Sequence, residues 1–60
     1  MKKVLEFSLR DWKQGQNTLI RMGFMDDEIM SNQVELTLDE WEVEDIEDEL
    51  NGLDVEFEWI

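Results

Sequence analysis

Two stretches of the chain share one pattern: LEFSLRDW at residues 5–12 and VELTLDEW at residues 34–41. Each runs apolar, Glu, apolar, Ser or Thr, Leu, any residue, acid, Trp, and the offset between them is 29 residues. Because an internal repeat usually reflects a repeated structural unit, the pattern predicts two related halves, residues 5–30 and 34–60. Both belong to a single small acidic domain, residues 1–60.

The second part of each pattern predicts the start of a capped helix. A Ser or Thr hydroxyl would accept hydrogen bonds from free amides of the first turn, and an acid three residues later would complete a capping box. The apolar residue before the cap and the Trp four residues after it have the spacing of a hydrophobic staple. The predicted caps are Ser8 with Asp11 and Thr37 with Glu40, and the predicted staples are Phe7 with Trp12 and Leu36 with Trp41.

Each predicted helix is expected to end at a glycine and to lead into a strand. Gly23 and Gly52 lie about four helical turns after the caps, where glycine readily adopts the left-handed conformation. After Gly52, apolar residues alternate with acids over residues 53–60, which predicts a strand. After Gly23, acids interrupt the apolar residues, so we predict a short edge strand near residues 28–30. A short helix capped by Asp26 is the alternative.

The resulting order of elements, βαββαβ, predicts an α+β fold of the compact split-βαβ (ferredoxin-like) class. Right-handed crossovers would place the two helices on one face of a small, four-stranded antiparallel sheet. Trp41 lies off the apolar stripe of helix two, so we expect it to pack against a strand; exposure to a partner or to a second copy of the chain is the alternative. Gly15 interrupts helix one at a cost of about 1 kcal/mol relative to Ala. The apolar stripe of that helix consists of Leu9, Trp12, Leu19 and Ile20.

The composition of the 60-residue chain excludes most catalytic and metal-binding chemistry. It contains no His, Cys or Pro, so the commonest general bases, nucleophiles and zinc ligands are missing. Carboxylates remain, but neither acidic run, 26–28 or 45–49, follows the EF-hand order with its central glycine. We therefore expect no enzymatic activity, no cofactor and no defined metal site. No apolar run is long enough for a membrane span or a signal-peptide core, which favours the cytoplasm.

Negative charge is concentrated in the second half of the chain. The net charge is −12, from 17 acidic and five basic residues, and all five basic residues precede Met22. Residues 39–49 of helix two hold eight acids in eleven positions, roughly one charge per 2 Å, against one per ~1.7 Å in duplex DNA. Like charges at i,i+4 destabilise a helix by about 0.2–0.5 kcal/mol per pair, which favours a functional role for this surface. The candidate partner-binding residues are Glu40, Glu42, Glu44, Asp45, Glu47, Asp48 and Glu49 on this helix and Glu35, Glu56 and Glu58 on the open face of the sheet.

In size, net charge and carboxylate spacing, residues 26–58 resemble the small acidic DNA-mimic inhibitors that phages and mobile elements make against host proteins. This class includes inhibitors of restriction enzymes, of CRISPR effectors, of uracil-DNA glycosylase and of the histone-like nucleoid protein HU. The resemblance implies a non-enzymatic inhibitor that occupies the nucleic-acid-binding site of a basic host protein in the host cytoplasm. Such an inhibitor would bind neither nucleic acid nor a membrane directly.

The alternative is an antitoxin-like, immunity-like or adaptor module that binds another protein through the open sheet or a free strand edge. Salt distinguishes the two hypotheses, because a mimic that replaces several phosphates should lose orders of magnitude in affinity as salt rises, whereas an apolar adaptor should lose little. Homodimerisation is compatible with both hypotheses, since a small chain gains stability by burying a further apolar face.

Overall fold

Three strands and two helices follow one another in the order βαβαβ in the computed structural model, which describes residues 1–60. Segments with alternating apolar residues form the strands, and segments with apolar residues three or four apart form the helices. Neither helix has the length and apolar composition needed to cross a bilayer. The elements are β1 (Lys2–Phe7), α1 (Trp12–Met22), β2 (Gln33–Thr37), α2 (Glu40–Gly52) and β3 (Phe57–Trp59).

The sheet has the strand order β2-β1-β3, and both outer strands run antiparallel to β1. β2 and β3 are therefore parallel to each other, α2 connects them, and β1 lies between them, which is a split-βαβ arrangement. The predicted α+β class with a small antiparallel sheet is confirmed. The sheet has three strands and not the four expected, because residues 28–30 form no strand.

The side chain of Gln16 explains why the fourth strand is absent. This residue of α1 is fully buried, and its Nε2 donates to the carbonyl oxygens of Ile29 (3.2 Å) and Ser31 (2.6 Å). Its Oε1 accepts the Ile29 amide at 2.8 Å. Backbone groups that a strand ladder would use are thus bound to a helix side chain instead. The alternative helix capped by Asp26 does not form either.

Both helices pack on the same face of the sheet. Leu5 and Phe7 of β1 point to that face, and Glu6 between them points away. Gly15 of α1 lies directly over Phe7, since a Cβ atom at this position would be 2.3 Å from the ring. Glycine is therefore required inside this helix for close packing. The nine buried apolar side chains of the core are Leu5, Phe7, Leu19, Val34, Leu36, Leu38, Ile46, Leu50 and Val55.

Helix α1 begins three residues later than the repeat predicts. Its N-cap is Asp11, and its first residue is Trp12. The Ser8 hydroxyl does accept the Asp11 amide, at 3.2 Å, but this bond closes the turn that precedes the helix. Leu9, predicted on the apolar stripe of the helix, lies in that turn and is 78% exposed.

Helix α2 is capped by Asp39 and not by Thr37. The Asp39 amide donates to the Glu42 carboxylate at 2.8 Å, within a capping box. Thr37 remains in β2, where it lies opposite Lys2 of β1, so strand pairing extends past the predicted cap. The predicted capping box of Thr37 with Glu40 is therefore wrong.

The sequence predicts a glycine as the left-handed residue at the end of each helix. Gly23 has φ 91° and ends α1, as predicted. After α2 the left-handed residue is Asp54, with φ 62°, and not Gly52. The Val55 amide then donates to the Leu50 oxygen at 3.0 Å, and Val55 is buried. Burial of this side chain places the turn two residues after the glycine.

Candidate functional site

The predicted partner-binding carboxylates lie on two faces of the molecule, with the core between them. Those of α2 form what we call the acidic helix face: Glu40, Glu42, Glu44, Asp45, Glu47, Asp48 and Glu49. Those on the side of the sheet away from the helices form, together with Glu6 of β1, what we call the acidic sheet face: Glu6, Glu35, Glu56 and Glu58. The acidic helix face and the acidic sheet face lie on opposite sides of the molecule. A flat partner surface can therefore contact only one of the two faces at a time.

No basic residue forms a salt bridge with the acidic helix face, although Lys3 lies beside its Glu40, Glu44 and Glu47. The chain has two salt bridges, Lys2 to Glu35 at 3.5 Å and Arg10 to Asp11 at 3.2 Å. Neither involves α2, and the helix itself contains no Lys or Arg. Its carboxylates therefore have no ion-pair partner within the chain.

Two of the seven carboxylates on the acidic helix face have partners within the chain. Glu42 accepts the Asp39 amide at the start of the helix. Glu47 accepts the indole N–H of Trp59 at 2.9 Å and so ties α2 to β3. Both side chains are only partly exposed. The carboxylates free for a partner are the five exposed ones: Glu40, Glu44, Asp45, Asp48 and Glu49.

An exposed tryptophan lies within the acidic helix face. Trp41 is 63% exposed and is not packed on the core, so the predicted burial and the predicted staple with Leu36 are both wrong. The reason is its phase on the helix: α2 contacts the core through Ile46, and Trp41 is five residues earlier, about 140° around the helix. Helical spacing places Glu44, Asp45 and Asp48 beside it, at i+3, i+4 and i+7.

The acidic sheet face is less uniformly negative. Glu35 is paired with Lys2, and Glu6 accepts a hydrogen bond from Gln33 Nε2 at 2.7 Å. Glu6 lies directly opposite Glu58 across the β1–β3 pair, an arrangement of like charges that destabilises a sheet. Neither on this face nor elsewhere do three or more acidic side chains come together in an arrangement that would hold a metal ion.

The Asp11 carboxylate joins the start of α1 to the residue preceding β3, a contact that the sequence pattern does not reveal. It accepts hydrogen bonds from Arg10 Nε (3.3 Å) and Nη2 (3.2 Å) and from the Glu56 amide (3.0 Å). The Arg10 guanidinium, and then the Glu56 amide, hold the pKa of Asp11 below its usual value. The hydrogen bond between the Arg10 guanidinium and the Asp11 carboxylate also raises the pKa of Arg10.

Chemically, both faces present exposed carboxylates that can bind cationic groups. The acidic helix face is the denser of the two, lacks any paired cation and includes an exposed aromatic side chain. No protein-family model, no curated protein and no solved structure matches this chain.

Proposed function

We propose that this protein is a non-enzymatic inhibitor that mimics DNA and occupies the nucleic-acid-binding site of a basic host protein. Examples of such a target are the histone-like nucleoid protein HU, a restriction enzyme or a CRISPR effector. The observation that carries the proposal is the acidic helix face, with five exposed carboxylates on one helix and no cation paired with any of them.

Charge density supports DNA mimicry over general solubility. Residues 40–49 place seven carboxylates along about 15 Å of helix, or one per ~2 Å, close to the spacing of charge along duplex DNA. DNA releases its associated counterions when a basic groove binds its phosphates, and an acidic surface of similar charge density gains from releasing its own counterions in the same way. A solubilising surface would instead intersperse the two signs of charge.

Trp41 supplies what carboxylates lack, an apolar surface of about the size of a base. Exposed aromatic side chains dominate the binding free energy of many interfaces, particularly when polar groups surround them. On the acidic helix face, three acids surround Trp41 at helical spacing. We therefore place Trp41 at the centre of the contact, with Glu44, Asp45 and Asp48 around it.

The proposed target implies where the protein acts and which ligands it does not bind. It acts in the cytoplasm of the host, where the nucleic-acid-binding target is found. It binds neither nucleic acid nor a membrane, because both are anionic and the chain carries a net charge of −12.

An antitoxin-like, immunity-like or adaptor module is the second candidate. It is favoured by apolar side chains exposed outside the acidic helix face, chiefly Met30 (88%) and Leu9 (78%). A module that binds through these residues would hold its partner at high salt, because apolar burial is not screened.

The test begins with capture of a partner. The immobilised protein is exposed to nuclease-treated bacterial lysate, and bound proteins are eluted with a salt gradient and identified by mass spectrometry. The proposal requires a nucleic-acid-binding protein that leaves at moderate salt and that duplex DNA displaces. A partner that ignores both salt and DNA would support the adaptor instead.

A matched pair of variants then locates the binding face. The triple variant E44Q/D45N/D48N removes three charges from the acidic helix face and leaves the capping residue Glu42 intact. The control, E6Q/E35Q/E58Q, removes three charges from the acidic sheet face. We expect the first to weaken target binding at least roughly tenfold, with a shallower salt dependence, and the control to change it little. Equal losses in both variants would contradict the choice of face.

A further inference from the structure

We infer that the free edge of β2 accepts an extended, lysine- or arginine-bearing segment of a partner protein as a fourth strand. This inference goes beyond the proposed function, because it concerns backbone pairing at the sheet edge and not charge mimicry by α2. It holds whether or not the partner binds DNA.

The strand register shows which backbone groups are free. Met1 and Leu38 exchange two backbone hydrogen bonds, of 2.9 and 2.8 Å, and the Phe7 amide donates to the Asn32 oxygen at 2.8 Å. In an antiparallel pair, hydrogen-bonded and non-hydrogen-bonded residue pairs alternate. The three β2 residues in non-hydrogen-bonded pairs with β1 therefore point their amides and carbonyls away from the sheet: Gln33, Glu35 and Thr37.

Two donors remain available along this edge. The Gln33 amide is already bound to the Ser31 hydroxyl at 3.1 Å. The Glu35 and Thr37 amides have no partner, because β2 pairs with β1 alone. Unpaired amides and carbonyls along a strand edge are the groups that a strand from another chain uses when it joins a sheet.

The chain does not fill this edge itself. A fourth strand formed by residues 28–30 would be the natural hairpin partner of β2. Gln16 instead holds the Ile29 and Ser31 backbone on α1, at distances of 2.6 to 3.2 Å. The edge is therefore left open by the same hydrogen bonds that remove the predicted strand.

Charge decides which strand fits. Exposed acids flank β2 in the sequence, and Glu35 lies at its middle with a side chain that is 63% exposed and is paired with Lys2. A second copy of this chain would pair Glu35 with Glu35 near the two-fold axis and bring two charges of −12 together, so self-pairing is disfavoured. A basic strand meets opposite charge at Glu35, whose ion pair with Lys2 is exposed to solvent, and at the acids that flank β2 in the sequence. The acids that flank β2 in the sequence are Asp26, Asp27, Glu28, Asp39 and Glu40.

The side-chain pattern of the added strand follows from β2. On the open side of the sheet its neighbour is Glu35, which favours Lys or Arg. On the helix side its neighbours are the buried residues Val34 and Leu36, which favour apolar residues. The expected ligand alternates basic and apolar residues, so we choose the heptapeptide Lys-Val-Lys-Val-Lys-Val-Lys as the probe.

The test uses Thr37→Pro, which deletes one outward-facing amide without changing the charge. Edge strands tolerate proline where the missing N–H faces solvent, so β1–β2 pairing should survive. Thr37→Ala is the matched control. We expect the heptapeptide to slow hydrogen exchange at the Glu35 and Thr37 amides of the unmodified chain, and T37P to bind it roughly tenfold more weakly than T37A.

Two further probes keep the test independent of any folding defect. Chemically synthesised protein with an N-methylated Glu35 amide should lose affinity as T37P does. A heptapeptide with proline at its central position has the same charge but cannot form a continuous strand, and it should bind weakly to the unmodified chain.

Several outcomes would overturn the inference. The first is that the heptapeptide does not bind at millimolar concentration. The second is that T37P and T37A bind it equally well. The third is that the heptapeptide changes chemical shifts only in α2. A dimer of the unmodified chain that T37P abolishes would show that a second copy occupies the edge. The variant E44Q/D45N/D48N separates this inference from the proposed function, because it should lose the DNA-displaceable target and still bind the heptapeptide at β2.

Discussion

Gly15 shows how one residue can serve packing at the expense of helix propensity. In an isolated helix, replacing it by Ala would gain about 1 kcal/mol. Here the added Cβ atom would be 2.3 Å from the Phe7 ring, which is buried in the core and cannot move freely. The packing requirement therefore outweighs the intrinsic preference.

We predict that Gly15→Ala destabilises the fold by roughly 1–3 kcal/mol through overpacking against Phe7. Urea unfolding followed by tryptophan fluorescence measures the change. The control is Gly52→Ala, where a Cβ atom would contact nothing within 4 Å and φ is not positive; this variant should be neutral or slightly stabilising. A Gly15→Ala variant as stable as the unmodified chain would contradict the close approach of α1 to β1.

Asp11 predicts a specific pH dependence. Its pKa is lowered in the folded state, by Arg10 first and by the Glu56 amide second. A carboxyl with a depressed folded pKa contributes stability above its unfolded pKa of about 3.9, and this contribution is lost as the pH falls through the folded value.

We therefore expect the stability difference between the unmodified chain and Asp11→Asn to be constant near neutral pH and to shrink below about pH 4. Acid also relieves repulsion among the other carboxylates, but it does so in both proteins. The difference in stability between the two proteins therefore isolates Asp11. Chemical unfolding of the two proteins from about pH 7 down to about pH 2.5 checks the trend. A difference that grew as the pH fell would show that Asp11 is not stabilised as the charged form.

Among the elements, residues 24–32 differ most from the sequence-based expectation. The apolar residues after Gly23 suggest a strand, but Gln16, thirteen residues before Ile29, satisfies the backbone of this segment. Local patterns describe the face that an element can bury. They do not reveal that the buried amide side chain of a residue distant in sequence, Gln16, forms the hydrogen bonds that strand pairing would otherwise provide.

We predict that Gln16→Met releases this segment. Met has a similar volume but cannot bond to Ile29 or Ser31, so the segment loses three hydrogen bonds and exposes free backbone groups. The expected result is a loss of about 1–3 kcal/mol in unfolding free energy and faster proteolysis within residues 24–32. Limited proteolysis with mapping of the cut sites measures it, and Gln14→Met, at an exposed site of the same helix, is the control. Equal resistance of the two variants would contradict the role given to Gln16.

The two helix ends show when local sequence signals are enough to predict the residue at which a helix ends. Gly23 is identifiable from the sequence as a left-handed cap because it follows directly after the amphipathic segment that forms α1. The same reasoning applied to Gly52 was wrong, because Val55 must reach the core and the turn forms at Asp54. Cap chemistry is local, but the residue at which a chain turns depends on what it must bury afterwards.

At the scale of the whole molecule, unpaired charge opposes the fold. The chain carries a net charge of −12 and has only two salt bridges, so most of its carboxylates repel one another without compensation. This repulsion acts over about one Debye length, ~8 Å at physiological salt, which is comparable to the spacing of side chains on so small a molecule.

We predict that the melting temperature rises as NaCl increases from about 20 to about 500 mM, because screening relieves this repulsion. Circular dichroism follows the transition. The variant E44Q/D45N/D48N should melt higher at low salt and should respond less to added salt. A melting temperature that does not change with salt would argue against repulsion among the carboxylates of the acidic helix face.

The order of amino acids is enough to predict the α+β class, the two amphipathic helices, the segregation of charge and the absence of imidazole and thiol groups. These properties follow from composition and from periodicities of two and about 3.6 residues, which are local. Only the packed chain shows that Trp41 is exposed and that Gln16 replaces a strand and leaves the edge of β2 open. Each of these depends on which distant groups satisfy a backbone amide or fill the core, and such long-range choices are made only when the whole chain packs together.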